Sequence, residues 1–250
     1  MASPRRLASW LASPLAYPSV QIARQTRCRV LLGPFAGMRY PFSFVAQGLF
    51  IGPFQVGSYE GELHPTIERI VAAAPQVLVN VGAAEGYYAV GLARLLPALE
   101  AIAFEAEPAI AVAGERLASL NGVADRVEAR GECAPAELAA LEPRVAGRSV
   151  CVIMDCEGCE GELADPALVP WLARVSILIE LHASIDAEIE PRLVERFAST
   201  HETAVIRARP PWASQWAELM RLRGLRQIDR ELLVAEFRHG GQDWLWATPR

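Results

Sequence analysis

The sequence predicts an α/β protein whose core is a doubly wound, mostly parallel sheet. Short apolar runs alternate with stretches of helical periodicity from residue 77 onward. The run at 149–154 is apolar on both faces, which is typical of a central strand in a parallel sheet. A chain of 250 residues, 52% of them apolar, is long enough to bury such a core.

The first 60 residues are expected to form a cap on the main domain, which would then span residues 61–250. Glycine, proline and aromatic residues recur there, as in Gly33-Pro34-Phe35 and Gly52-Pro53-Phe54. This composition favours turns with short strands or hairpins, and no strong helix is predicted after about residue 27. A helix at 65–74 follows, with Pro65 in its first turn.

Strands and helices then alternate in the order expected of repeated βα units. The predicted strands cover residues 77–81, 101–105, 126–129, 149–154 and 175–179, and a terminal pair covers 203–209 and 244–248. The predicted helices cover residues 86–96, 108–120, 135–141, 187–199 and 213–223. Asn121-Gly122 ends the second of these helices, because glycine readily adopts the left-handed conformation found at helix ends.

The charge and apolar pattern argue against two classes of partner. The formal net charge is −5, whereas a nucleic-acid-binding domain is usually basic. No apolar stretch approaches the roughly 20 residues that a membrane-spanning helix needs. We therefore expect a soluble cytoplasmic protein that acts on a small molecule, without a nucleic-acid or membrane partner, and the oligomeric state is left open.

The five cysteines are interpreted as reduced thiols. Their number is odd and three of them lie in or beside a predicted buried strand, which is typical of a cytoplasmic protein without a disulfide framework. Cys156 and Cys159 form a C-x-x-C pair that could be redox-active or half of a zinc site. Because no second pair and no obvious histidine partner lies nearby, small residues in a turn are the favoured interpretation.

Acidic residues follow most of the predicted strands at their carboxyl ends, where open α/β sheets bind ligands. These strand ends are residues 82–86, Glu105, 131–133, 155–160 and 180–182. Capping of the following helices accounts for one or two such acids, but less well for a carboxylate after four of five strands. The sequence therefore predicts a ligand site at this edge of the sheet.

The turn after the first strand favours S-adenosylmethionine over a dinucleotide. Its glycines fall at 82, 86 and 91, which is not the G-x-G-x-x-G spacing, and Glu85 would repel a pyrophosphate. Glu105, 23 positions after Gly82, can accept hydrogen bonds from both hydroxyls of a ribose. Gly82 would let the backbone approach the amino-acid end of the cofactor, and Glu132 with Cys133 would border its adenine.

Four segments together resemble the FkbM-type S-adenosylmethionine-dependent methyltransferases. They are Asn80-Val81-Gly82-Ala83-Ala84-Glu85-Gly86-Tyr87-Tyr88, Phe104-Glu105, Asp155-Cys156-Glu157-Gly158-Cys159-Glu160 and Ile179-Glu180-Leu181-His182. The acid-x-Glu-Gly-x-Glu block is the most specific of them, and the closing Asp243-Trp244-Leu245-Trp246 is also similar. The resemblance covers about residues 60–200.

The resemblance implies a Rossmann-like class I methyltransferase sheet with an antiparallel last strand, and O-methylation as the commonest activity. Members usually carry Asp-x-Gly-Ala-Asn in the first loop, where this chain has Asn80 in place of the aspartate and Glu85 in place of the last asparagine. A neutral Asn80 would hold the cofactor's ammonium group less strongly. The candidate cofactor contacts are Asn80, Gly82, Ala83, Glu85, Gly86, Tyr87, Glu105, Glu132, Cys133 and Asp155.

His182 and Asp155 are the candidate catalytic residues. O-methylation removes a hydroxyl proton, and an imidazole that titrates near neutrality can accept it. A histidine hydrogen-bonded to a neighbouring loop is the alternative interpretation of His182. Asp155, at the end of the fourth strand, could orient the amino end of the cofactor. The candidate substrate contacts are Glu157, Glu180, Tyr59 and His64.

Two further possibilities are weaker. Asp155 and Glu157, with Glu180 or His182, could hold Mg²⁺, but helix capping and structural hydrogen bonds account for most such acids, so no metal ligand is assigned. Arginines and tryptophans could line an acceptor pocket, although surface arginines and core tryptophans are the simpler explanation. These residues are Arg207, Arg209, Trp212 and Trp216.

The favoured function is methylation of an oxygen atom of a small-molecule or sugar-like acceptor. Because the first loop is altered, a catalytically silent binding protein with the same fold is the main alternative. An NAD-dependent oxidoreductase is disfavoured by the glycine spacing. The sequence contains no recognisable code for the acceptor.

Overall fold

The computed structural model describes residues 13–48, 52–209, 216–236 and 242–250. Contacts between Cα atoms divide the chain into two units. The smaller unit comprises described residues 13–64 (without 49–51), 209 and 216–236, and the larger unit comprises 65–208 and 242–250. A single cap boundary near residue 60 stays a prediction, whereas the smaller unit takes in a second, later segment of the chain.

The helices and strands are numbered here in chain order. The helices are α1 (Ala16–Thr26), α2 (Phe42–Gln47), α3 (Gly52–Val56), α4 (His64–Ala73), α5 (Tyr87–Leu95), α6 (Pro108–Leu120), α7 (Pro135–Ala139), α8 (Glu142–Val145), α9 (Glu160–Leu163), α10 (Ile189–Phe197), α11 (Trp216–Leu219) and α12 (Gln227–Val234). The strands are β1 (Val77–Val81), β2 (Glu100–Phe104), β3 (Val127–Arg130), β4 (Val150–Met154), β5 (Ser176–Leu181), β6 (His201–Ile206) and β7 (Asp243–Pro249). Two 3₁₀ turns cover Gly61–Leu63 and Pro170–Arg174.

The larger unit contains a seven-stranded sheet in the order β3-β2-β1-β4-β5-β7-β6. The strands from β3 to β5 pair in parallel, and β7 pairs antiparallel with β5 on one side and β6 on the other. This architecture confirms the predicted doubly wound, mostly parallel sheet with an antiparallel last strand. The chain reverses its winding between β1 and β4, so the crevice expected of such folds lies at their carboxyl ends.

The sheet forms because its central strands are apolar throughout. Every residue of β1 and of β4 is buried, and these two strands are direct neighbours. One cluster of buried side chains includes Val79, Val152 and Trp171, whose indole N–H donates to the carbonyl of Leu138 at 3.0 Å. Truncating such a buried aliphatic side chain to alanine costs about 2–5 kcal/mol, so this cluster is a major source of stability.

Several predicted boundaries shift by one to three residues. β5 runs to Leu181 rather than ending at residue 179, because its ladder with β7 continues through the pairs Glu180–Trp244 and Leu181–Asp243. β6 likewise begins at His201, which pairs with Pro249. The extension of β5 places Glu180 inside a strand and His182 directly after it.

The smaller unit corrects the prediction for residues 28–60. Short helices α2 and α3 occur there instead of hairpins, and the described residues of this segment contain one isolated bridge, between Arg29 and Arg39. Apolar side chains of α1, α3 and α12 supply a separate small core, which compensates for the weak helix propensity of glycine and proline. The α12 helix was not predicted, although Asp229 gives it a capping-box residue three positions after Arg226.

No helix within the described ranges combines the length and the apolar composition that crossing a bilayer would need.

Candidate active site

The turn after β1 passes directly beside the end of β4. Gly82 has a φ of +72°, and a Cβ atom at this position would overlap the carbonyl oxygen of Asp155. Gly86 has a φ of +87° and directly precedes α5. Only glycine satisfies both demands at Gly82, because it has no side chain and tolerates a positive φ. The glycine therefore fixes the loop where the crevice opens.

Glu105 ties this loop to the end of β2. Its Oε2 accepts a hydrogen bond from the backbone N–H of Ala84 at 2.9 Å, and its Oε1 accepts one from the N–H of Glu107 at 2.8 Å. A carboxylate oxygen has two lone pairs, so each oxygen can still accept from a ligand hydroxyl. The predicted ribose-binding residue is thus held with its carboxylate in a fixed orientation.

A cleft of about 460 Å³ lies at the carboxyl ends of β1, β2 and β4. This volume falls within the usual 300–1,000 Å³ of small-molecule sites. The cleft is lined by Val81, Gly82, Ala84, Phe104, Glu105, Ala106, Ile110, Glu132, Cys133, Asp155, Cys156, Glu157 and Cys159. Six predicted site residues are therefore brought together: Gly82, Glu105, Glu132, Cys133, Asp155 and Glu157.

The apolar part of this lining was missed by sequence reasoning. Phe104 and Ile110 were predicted as strand and helix residues and Ala106 was given no role, although all three lie close to Glu105 along the chain. Their closeness to that acid along the chain was the available signal. Burial raises the pKa of the Cys133 thiol to about 12, so this side chain borders the cleft as a neutral group.

Asn80 lies in β1, is not among the residues that line the cleft, and is 1% exposed. Its Nδ2 donates to the carbonyl oxygen of Ile153 at 3.4 Å, and its Oδ1 has no hydrogen-bond partner in the described part of the structure. An aspartate here would bury a full charge, which is far costlier than burying a neutral amide. The departure from the family pattern is thus compatible with the fold.

Glu85 is buried within the same loop, outside the lining of the large cleft. Its Oε1 has no hydrogen-bond partner among the described residues. Burial raises the pKa of Glu85 to about 7, and the nearby charge of Glu105 adds to the shift. A carboxyl group titrating near neutrality therefore lies next to the glycine turn.

His182, directly after β5, is surrounded by carboxylates. It is 3% exposed, and its Nδ1 lies 2.8 Å from Oε1 of Glu160. Its Nε2 faces three further carboxylate oxygens, those of Glu157 at 3.3 Å, Glu180 at 3.4 Å and Asp155 at 3.7 Å. Burial lowers the pKa of His182, but Glu160, Asp155 and Glu157 outweigh it, so the pKa lies above its ordinary value. The surrounding carboxylates thus favour the protonated form of this buried imidazole.

Glu160 links His182 to the turn after β4. One of its oxygens accepts from the N–H of Cys156 and the other from the N–H of Gly158, both at 2.9 Å. Burial raises the pKa of Glu160, but the hydrogen bonds from His182 and the backbone N–H of Cys156 lower it by more. The net pKa lies below its ordinary value, which favours the ionised carboxylate. This role of Glu160 had not been assigned from the sequence.

For Cys156 and Cys159, the predictions of reduced thiols and of small residues that merely form a turn are wrong. Cys156 and Cys159 form a disulfide, with Cα atoms 5.5 Å apart, whereas Cys28, Cys133 and Cys151 are free. The left-handed backbone at Glu157 and Gly158 folds the turn tightly enough to bring the two sulfur atoms together. The C-x-x-C pair is therefore more than small residues in a turn.

Some of the remaining predicted contacts are engaged with residues close to them in the structure. Tyr59 and His64 belong to the smaller unit, where the Tyr59 ring stacks on Phe54 at 3.9 Å between centroids. Arg207 pairs with Glu190 and Asp243 at the start of β7. Trp212 falls outside the described residues, and nothing is described of the Trp216 side chain.

Asp155, Glu157 and His182 also present ligand atoms within 4.8 Å of one another. Two carboxylates and an imidazole could bind a divalent cation, so this geometry preserves the metal alternative considered above.

Comparisons with known proteins show likenesses of fold at low sequence identity. The chain is similar to the O-methyltransferase TomG of Streptomyces achromogenes, solved with S-adenosylmethionine, at 16% identity over 76% of this chain and 79% of that one, with a TM-score of 0.50. It is also similar to an O-methyltransferase of Bacillus cereus solved with SAH, at 14% identity over 100% and 93% of the two chains, with a TM-score of 0.49. No protein-family model and no curated protein matches the chain. The match to TomG is a likeness of fold, and it agrees with the Rossmann-like α/β sheet described above.

Proposed function

We propose that the protein is an S-adenosylmethionine-dependent methyltransferase of the FkbM type, acting on an oxygen atom of a small-molecule or sugar-like acceptor. The observation that carries this proposal is the 460 Å³ cleft, in which Gly82, Glu105 and Asp155 meet at the carboxyl ends of β1, β2 and β4. The class I methyltransferase fold and the cofactors bound to its structural neighbours support it. A cytoplasmic location and a single small-molecule partner belong to the same proposal.

The cofactor would lie along the glycine turn. Its amino-acid end would approach the backbone at Gly82 and the carboxylate of Asp155, its ribose hydroxyls would donate to Glu105, and its adenine would lie between Phe104, Glu132 and Cys133. Rate enhancement would come mainly from holding the acceptor oxygen in line with the methyl group. This arrangement needs no negative charge at position 80. The carboxylates of Asp155 and Glu157 line the cleft and would face the positively charged end of the cofactor.

The acceptor proton would leave through the Asp155–His182 pair. Asp155 lines the cleft, and its Oδ1 lies 3.7 Å from the buried Nε2 of His182. A proton released by the acceptor could pass along this pair once His182 has lost its own. We assign neutralisation of the carboxylate cluster to the His182 proton rather than to a metal ion, so turnover should be equal with and without a chelator.

The binding part of the proposal is tested by calorimetric titration with S-adenosylmethionine. We expect binding by the natural protein and binding weaker by roughly tenfold or more in Glu105→Gln, because a charge-assisted hydrogen bond to the ribose is lost. Glu107→Gln is the matched control, since Glu107 is an exposed acid two residues away that caps α6.

Two results would contradict the proposal. No heat with millimolar S-adenosylmethionine would favour the silent binding protein instead. Equal affinity in Glu105→Gln and Glu107→Gln would remove the ribose role of Glu105 while leaving the cofactor assignment intact.

A further inference from the structure

The turn between β4 and α9 carries cysteine at both variable positions of its acid-x-Glu-Gly-x-Glu block. Cys156 and Cys159 are joined by a disulfide that closes a ring over Glu157 and Gly158. Both enclosed residues have positive φ values, +56° at Glu157 and +109° at Gly158. A glutamate rarely adopts this conformation unless its surroundings hold it there. Ring closure is one such restraint.

The same turn carries the two glutamates that link the cleft to His182 and its surrounding carboxylates. Glu157 lines the cleft, and its Oε2 lies 3.3 Å from Nε2 of His182. Glu160 holds the turn from the other side through the N–H groups of Cys156 and Gly158. Any change in the shape of this turn therefore moves the Glu157 carboxylate at the cleft. It also changes the contacts that Glu157 and Glu160 make with His182.

The disulfide is reachable from solvent, because both cysteines are half-buried and line the open cleft. The neighbouring Cys133 also borders the cleft, but burial keeps its thiol protonated. A thiol is a poor nucleophile compared with a thiolate, so Cys133 does not compete in exchange with the pair. The raised pKa of Cys133 therefore disfavours its attack on the Cys156–Cys159 disulfide.

We propose that Cys156 and Cys159 form a reversible redox site whose substrate is a dithiol, and whose oxidation state sets the cofactor affinity of the cleft. The disulfide form holds Glu157 and Glu160 in their observed positions, and the dithiol form releases them. This effect on the cofactor rests on the proposed methyltransferase function, whereas the exchange reaction does not.

The reaction balances as a two-electron exchange. One thiolate of the dithiol attacks a sulfur of the pair, the Cys156–Cys159 bond breaks, and a mixed disulfide forms. The second thiol of the reagent then displaces the remaining protein sulfur as a thiolate. Cys156 and Cys159 each take up one proton, and the dithiol leaves as a disulfide.

Reversibility is measured on the full chain by alkylating thiols before and after treatment with dithiothreitol, and again after reoxidation. We expect Cys156 and Cys159 to be protected in the oxidised protein, alkylated after reduction and protected again after reoxidation. Hydrogen exchange at residues 155–163 should become faster in the reduced protein. Alkylation of both residues in every sample would overturn the redox site itself, and unchanged exchange at 155–163 would overturn the release of the turn on reduction.

The coupling to the cofactor is measured by titrating S-adenosylmethionine into both redox forms. We expect the reduced form to bind about fivefold more weakly or worse, and the cofactor to make the disulfide harder to reduce by the same factor, because coupling is reciprocal. The double variant Cys156→Ser/Cys159→Ser should match the reduced form and ignore dithiothreitol. Cys28→Ser, in the smaller unit, should keep the full redox response.

The outcomes separate the two proposals. Equal cofactor affinity in both redox forms would overturn the coupling while leaving the methyltransferase proposal standing. No cofactor binding in either form, together with reversible protection and a change in hydrogen exchange, would overturn the methyltransferase proposal and the coupling but leave the redox site in place.

Discussion

Glu85 combines full burial with a carboxylate oxygen that makes no hydrogen bond within the described structure. Its pKa of about 7, raised mainly by burial, means that folding favours the protonated form. The unfolded chain releases the same proton near pH 4.5. The contribution of Glu85 to stability is therefore complete below pH 4.5 and is lost as the pH rises to about 7.

We predict that Glu85→Gln stabilises the fold at pH 8 but not at pH 4.5, because glutamine stays neutral at both. The gain should approach roughly 3 kcal/mol at most, as expected for such a pKa shift. Urea unfolding at the two pH values measures it. Glu115→Gln on the exposed side of α6 is the control, and an equal effect of Glu85→Gln at both pH values would refute the argument.

His182 leads to a second prediction at the scale of a single residue. Its pKa lies above the ordinary value because Glu160, Asp155 and Glu157 outweigh the effect of burial. A base must lose its proton to work, so kcat should rise with pH through a midpoint above 6.5. In His182→Gln that midpoint should disappear and kcat should fall by about 10²–10⁴, the usual contribution of a general base.

Cofactor affinity serves as the control for the His182 variant. It should stay close to that of the natural protein, since His182 does not line the cleft. Lost binding together with lost turnover would show that His182→Gln lowers turnover by altering the cleft rather than by removing a base.

At the scale of elements, the β1–α5 turn is fixed by one close approach. Gly82 and Gly122 have almost the same φ, +72° and +70°, but a Cβ atom at Gly122 would meet no other atom within 4 Å. Both positions therefore require a positive φ, which favours glycine. Only Gly82 must in addition lack a Cβ atom, because that atom would overlap the carbonyl oxygen of Asp155.

We predict that Gly122→Ala costs about 1–2 kcal/mol of unfolding free energy, the cost of a left-handed conformation, and that Gly82→Ala costs at least about 1–3 kcal/mol more, because the backbone must also shift away from Asp155. Denaturant unfolding of the two variants gives the difference. Gly82→Ala should also lose cofactor binding, whereas Gly122→Ala should keep it. Equal destabilisation by the two changes would mean that the contact with Asp155 is easily relieved.

At the scale of the whole molecule, a ligand that binds only the folded state raises its stability. At a concentration one hundred times its Kd, S-adenosylmethionine should add about 2.7 kcal/mol, which corresponds to a rise of roughly 5–10 °C in Tm for a domain of this size. NAD at the same concentration should leave Tm unchanged, because the glycine spacing does not suit a pyrophosphate. Differential scanning fluorimetry measures both, and a shift with NAD alone would revive the oxidoreductase interpretation.

Sequence reasoning predicted the sheet well where one physical rule dominates. Strands β1 and β4 are apolar on both faces, and only a central position in a parallel sheet buries both. The strand-end acids Glu105, Glu132 and Asp155 could be placed together for the same reason, since parallel strands end at a common edge. Residues 28–60 were predicted poorly, because glycine and proline there suggest turns while packing selects short helices.

The sequence by itself determined three features: apolar strands that form the core, a glycine turn after β1, and acidic residues at the strand ends. These features follow from the alternation and spacing of residues, which are local properties of the chain. Only the tertiary structure decided which groups meet. It joined Cys156 to Cys159, surrounded His182 with four carboxylates and buried Glu85, since these arrangements depend on positive φ values and on contacts between distant segments. Periodicity carries no information about either.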